Sequence, residues 1–194
     1  MATSAHKRFI VHPYKFNMWI AIVSMVMIFA AFTSAYVVKK GDTNSWQHIH
    51  LPDIFATSTV VIVISSLFMH GAYVAFKRNK LNLYRGFIML AFLTGAAFLI
   101  LQIQGWSMLV NSGIELTGNV AGSFIYVISG AHFVHVAGGV IALLVFSFKA
   151  FTKYNNNELD KIQGSIINIE VMTTYWHFVD FLWVYLYFFF LLNR

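Results

Sequence analysis

The residues with chemistry to offer are few and lie inside apolar runs. Glu170, His177 and Asp180 fall within the last run, with Tyr175 and Trp176 beside them. On a helix His177 and Asp180, three apart, share a face, and Glu170 lies about two turns before His177 on nearly the same side. Thr173 and Thr174 extend this into a polar stripe. A charged group at mid-bilayer costs about 2.5–3.5 kcal/mol on insertion scales, so an acid and an imidazole there need a reason. A second pair, His132 and His135, also three apart, sits in the preceding run; His70 and Gln102 are lone polar residues in two others. The pairs admit several chemistries. His132 and His135 could begin a metal site, which would need more ligands from His177, Glu170 or Asp180. His132 or His135 with His177 could bridge a haem. Glu170 and Asp180 could serve a proton path, although two acids on one helix are few for a route across a membrane. Against these stands the structural reading, in which the polar groups hydrogen-bond across the fourth and fifth helices and fix their packing.

The elements that must hold these residues are membrane spans. The chain of 194 residues is 59% hydrophobic and 10% charged, with mean hydropathy +0.69, where soluble domains carry about 25% charged residues. The reading is all-α: one membrane domain over 1–194, with five transmembrane helices at about 16–38, 54–76, 86–110, 123–151 and 166–192. The first run is too long for a signal-peptide core and has no clear small-residue cleavage site, so it is expected to remain as a span. With no cysteine there is no disulfide, thiolate ligand or cysteine nucleophile. Nucleotide-binding, hydrolase and zinc-protease motifs are absent, and the absence of repeats and broken helices argues against a small transporter.

Basic residues orient the bundle. Lys7, Arg8, Lys15, Lys77, Arg78, Lys80, Arg85, Lys149, Lys153 and Lys161 would share one side, against Lys39, Lys40 and Arg194 on the other. The N-terminus is therefore expected in the cytoplasm and the C-terminus outside. This accounts for the net charge of +6 without a nucleic-acid partner. Asp53 suits a helix N-terminus. Trp19, Trp46, Trp106, Tyr14, Tyr36 and Tyr154 fall near span ends and read as interface anchors. Ser58, Thr59, Ser65 and Ser66, together with Gly95-Ala96-Ala97 and Gly138-Gly139, suit close helix packing in lipid.

Tyr175-Trp176-His177-Phe178-Val179-Asp180 with Trp183, preceded by Glu170, resembles the closing-helix signature of subunit III of the haem–copper terminal oxidases. Ser129-Gly130, His132, His135 and Gly138 are similar to that family's fourth-span pattern, and Ser65-Ser66, His70, Phe98-Leu99, Gln102 and Gly122-Ser123-Phe124 follow in the expected order. The resemblance covers nearly the whole chain and is to the short bacterial form of five helices. It implies a subunit that holds no haem or copper, these belonging to partner subunits. It also implies a place against subunit I, with subunit II and a small subunit IV nearby, in the bacterial cytoplasmic (inner) membrane. The implied role is to bind structural phospholipid and to support subunit I during proton-coupled oxygen reduction, with no catalytic residue of its own. His132, His135, Glu170, Tyr175, Trp176, His177 and Asp180, with His70 and Gln102, would form the polar network or the lipid and subunit contacts. The alternative from the residues alone is a stand-alone metal- or haem-binding protein using His132, His135 and His177. The chain departs from the family pattern where Met25 follows Ser24 and where Gly105 stands near a family acid, so chemistry assigned to those acids does not carry over.

Overall fold

The computed structural model describes residues 12–42, 46, 49–152 and 159–193, with side chains left out of the description over 159–165. The expectations resting on Lys7, Arg8, Lys153, Tyr154, Arg194 and the Lys161 side chain lie outside the described residues. The described chain forms five helices: α1 (Pro13–Asp42), α2 (Ile54–Lys77), α3 (Leu81–Asn111), α4 (Val120–Thr152) and α5 (Leu159–Asn193). Even the shortest, α2 at 24 residues, outruns a bilayer core of about 30 Å at about 1.5 Å per residue. All five are apolar enough to cross a membrane.

Turn chemistry sets how the helices follow one another. After α2 the chain reverses through Arg78, Asn79 and Lys80. Asn79 takes a left-handed φ of 55°, a conformation that asparagine tolerates better than most residues. The Lys80 amide then bonds the Ala75 carbonyl at 2.9 Å and the Asn79 amide bonds Phe76 at 3.0 Å, which satisfies two orphaned helix-end carbonyls. Gly113 (φ 76°) ends α3 the same way, with Ile114 N–H on the Leu109 carbonyl at 3.0 Å. Asp53 does not cap α2 through its side chain. Its backbone is already helical (φ −59°, ψ −18°), whereas a capping carboxylate needs an extended backbone to reach the next amides.

Helices α2 to α5 pack as a tight group, and α1 lies to one side, touching only α4 and α5 among the described elements. Helices α1 and α5 run parallel: Lys15 meets Glu170 near their starts, and Lys40 meets the Asn193 carbonyl at their ends. The interior is aromatic, with Trp176, Trp183, Tyr84, Phe29, Phe76 and Phe98 fully buried. The aromatic anchors divide. Trp19 and Tyr14 are exposed, as a belt requires, but Tyr36 is 2% exposed. Its ring packs against Trp46 at 5.0 Å, and its hydroxyl donates to Asn193 O at 3.2 Å. Trp106 turns inward to donate from Nε1 to Ser129 Oγ at 3.0 Å. Position near a span end does not separate an aromatic facing headgroups from one facing the next helix.

Candidate functional site: a polar seam between α2 and α5

Trp176 is the centre of the seam. Its indole fits between α3 and α4 because both present glycine there. A Cβ on Gly95 would lie 2.8 Å from Trp176 Cη2, and one on Gly139 would lie 2.8 Å from Cζ3. Real carbon atoms do not approach so closely, so the missing side chains make the slot. The Trp176 Nε1–H donates to Ser65 Oγ on α2 at 3.2 Å, and Ser65 donates to the Ala91 carbonyl of α3 at 3.1 Å. Two turns on, Trp183 Nε1–H donates to Thr59 Oγ1 at 3.0 Å. As the donors advance along α5 their acceptors step back along α2, as antiparallel helices require. Gln102 of α3, fully buried, joins the same hydroxyl row by donating from Nε2 to Ser58 Oγ at 3.0 Å.

His177 and Asp180 belong to this seam. His177 Nδ1 lies 2.6 Å from Ser66 Oγ, and its ring centroid is 5.9 Å from that of His70, which is exposed at the surface of α2. Asp180 is 3% exposed. Neither carboxyl oxygen makes a hydrogen bond among the described residues. The polar stripe of α5 is therefore divided between neighbours. His177 turns to α2, Asp180 is buried without a hydrogen-bond partner among the described residues, and Glu170 turns to α1 and pairs with Lys15 Nζ at 2.9 Å.

The α4 histidines lie elsewhere. His132 is fully buried, stacked on Trp183 at 5.1 Å and edge-on to Phe98 and Phe29 at 6.0 and 6.3 Å. Neither of its ring nitrogens has a hydrogen-bond partner among the described residues. His135 donates from Nδ1 to its own helix, at the Ala131 carbonyl, 2.7 Å away. Helices α4 and α5 are joined here by Tyr175, whose hydroxyl donates to the His135 carbonyl at 2.8 Å. His177 is thus turned to α2, while His132 is enclosed by aromatic rings. Among the described residues no three His, Cys, Asp or Glu side chains come together to hold a metal ion, so the geometry does not favour the metal or haem reading.

Beside this closed seam is an open cleft of about 660 Å³ between α1, α4 and α5. Ala21, Gly138, Ala142, Phe146, Val171 and Met172 give it apolar walls, and Tyr14, Asn17, Lys149 and Asn168 supply polar groups. In the sequence Lys15 shows only as one of the basic residues that orient the bundle. Its pairing with Glu170 depends on how α1 leans on α5, which no local pattern in the sequence encodes.

Comparison with known proteins agrees with this geometry. The family model described as cytochrome c oxidase subunit III matches residues 2–193. The chain is 25% identical over 182 residues to the cytochrome bo(3) ubiquinol oxidase subunit 3 of Buchnera aphidicola subsp. Schizaphis graminum, covering 92% of this chain and 93% of the relative. It is 26% identical over 175 residues to the cytochrome c oxidase subunit 3 of Bacillus sp. (strain PS3), covering 87% and 80%. It is 26% identical over 166 residues to the cytochrome c oxidase subunit 3 of Corynebacterium diphtheriae, covering 82% and 78%. The chain belongs to the cytochrome c oxidase subunit III family.

Proposed function

We propose that this chain, as a subunit III, serves a proton-pumping haem–copper terminal oxidase without carrying redox chemistry itself. Haem and copper are held by partner subunits. The chain packs against subunit I, with subunit II and a small subunit IV in the same assembly, in a bacterial cytoplasmic membrane. The family match over nearly the full chain carries this reading. The geometry supports it, because most of the signature side chains are engaged in holding helices together: Trp176 on Ser65, Trp183 on Thr59, His177 on Ser66 and Tyr175 on the His135 carbonyl. The excess of Lys and Arg on the side of the N-terminus supports a cytoplasmic N-terminus.

The cleft between α1, α4 and α5 is the proposed phospholipid site. Its apolar walls suit an acyl chain, and Lys149 and Asn168 suit a phosphate group near the membrane surface.

The test is to purify the tagged chain in mild detergent and record reduced-minus-oxidised spectra before and after stripping it from its partners. Haem should co-purify and leave with the partners. Haem or metal that stays stoichiometrically with the bare chain would overturn the reading and return the histidines to a ligand role.

A further inference from the structure

We propose that Gln102 and His132 hold buried water at one level of the bundle core, where α2, α3, α4 and α5 meet. Both side chains are fully buried. Gln102 Nε2 lies 3.0 Å from Ser58 Oγ, and the serine fixes the direction of that bond. Its own hydrogen goes to the Phe55 carbonyl at 2.9 Å, so Ser58 accepts from the Gln102 amide and Gln102 Oε1 is left as a free acceptor. That oxygen has no hydrogen-bond partner among the described residues, and neither ring nitrogen of His132 has one.

Helix register puts these atoms in one layer. Across the α3–α4 contact, Phe98 meets His132 ring to ring at 6.0 Å, and Trp106 Nε1 meets Ser129 Oγ at 3.0 Å. Gln102 stands one turn from both Phe98 and Trp106 on the same side of α3, so its depth falls between those of His132 and Ser129. From α5, Trp183 stacks on His132 at 5.1 Å and donates to Thr59, the neighbour of Ser58 on α2. The rings of Trp183, Phe98 and Phe29 cover His132, and carbon rings give its nitrogens neither a lone pair nor a strong donor. A bundle surrounded by lipid cannot borrow bulk water for them. A buried polar group without a partner costs more than one hydrogen bond returns, and internal water making two to four bonds is the common remedy. In neutral imidazole one nitrogen donates and the other accepts. One water accepts from the ring N–H and donates to Gln102 Oε1. Its second hydrogen goes to Ser58 or Ser129, which accept from Gln102 and Trp106 and each keep a lone pair. A second water donates to the other ring nitrogen. The polar layer is thereby satisfied without a direct hydrogen bond between α3 and α4 at Gln102.

A density map of the complex purified through this chain, at a resolution that shows ordered water, tests the proposal. A peak should stand within hydrogen-bond distance of both Gln102 Oε1 and a ring nitrogen of His132. Infrared spectra should show an O–H stretching band of buried water that shifts when the solvent is replaced by water carrying oxygen-18. Peak and band should both be lost in Gln102→Met and in His132→Phe, which keep the bulk of the side chains and remove their polar groups. If His132→Phe does not assemble, the wild-type map and Gln102→Met decide the matter. A map that shows water elsewhere in the bundle but none between these two residues, Gln102 bonded directly to His132, or a band that persists in Gln102→Met would overturn the proposal.

Discussion

Helix α5 makes two seams with opposite characters. Against α2, with α3 and α4 closing in, it is tight and polar inside: indoles on hydroxyls, a histidine on a serine, and tryptophan set into glycine slots. Against α1 it combines aromatic packing of Tyr36 on Phe189 and Phe190 at one end with polar latches spaced along the helices. Lys15 bonds Glu170 at one end, Lys40 bonds the Asn193 carbonyl at 2.7 Å at the other, and Tyr185 reaches Thr33 at 3.3 Å between them. Clefts of about 660 and 240 Å³ remain along this seam. Two adjacent glycines mark the border. A Cβ at Gly139 would strike Trp176, whereas one at Gly138 would meet nothing within 4 Å. Close approach in lipid follows from small residues placed opposite a shape that fills them. A small residue with no such partner leaves a cleft.

Removing the filler should break the comparison most. Trp176→Ala empties the slot between Gly95 and Gly139 and should cost about 3–5 kcal/mol, read as reduced unfolding resistance in detergent and less chain retained in membranes. A loss as small as that of an α1 surface variant would mean that the seam is not the tighter region. The glycine pair gives the sharper contrast. Gly139→Ala should destabilise by about 1–3 kcal/mol through overpacking, whereas Gly138→Ala should be neutral or stabilise by up to about 1 kcal/mol from helix propensity. The same sign for both in a side-by-side unfolding series would refute the border drawn between them.

Weaker effects are expected from single polar contacts. Ser65→Ala leaves the Trp176 indole N–H without its acceptor and should cost about 0.6 kcal/mol, near the average for interhelical hydrogen bonds in membranes. A double-mutant cycle with Trp176→Phe, which lacks that N–H, should show the two losses to be coupled. Lys15→Met should cost least, below about 0.5 kcal/mol, because the ion pair with Glu170 is 37–40% exposed. Its clearer readout is lipid: mass spectrometry of the purified chain should show less retained phospholipid, since Lys15 and Glu170 line a smaller cleft of about 230 Å³ that adjoins the proposed lipid site through Met18 and Val171, which line both.

The number of helices and the placement of polar residues within them were legible because each span is a long apolar run, and a period of 3.6 places His177 and Asp180 on one side. What those residues face was not legible. The stripe from Glu170 to Asp180 reads as continuous, yet its members turn to different helices, because α5 lies between α1 and α2. His132 and His135 look equivalent at three-residue spacing, yet one is enclosed by aromatic rings and the other bonds its own backbone. Trp106 and Tyr36 look like interface anchors, yet half-buried Trp106 gives its N–H to Ser129 and Tyr36 is buried with its hydroxyl on the Asn193 carbonyl.

The sequence by itself determined that the chain is a bundle of five membrane helices and, through the closing-helix residues, which family it resembles. Both depend on local composition and on residues close together in the chain. Only the tertiary structure decided which glycine abuts tryptophan and which has open space beside it, and which hydroxyl meets which indole. It also decided that Lys15 reaches Glu170. These contacts join residues up to 155 positions apart, and they depend on the rotation and tilt of whole helices, which the packing of every neighbour sets together.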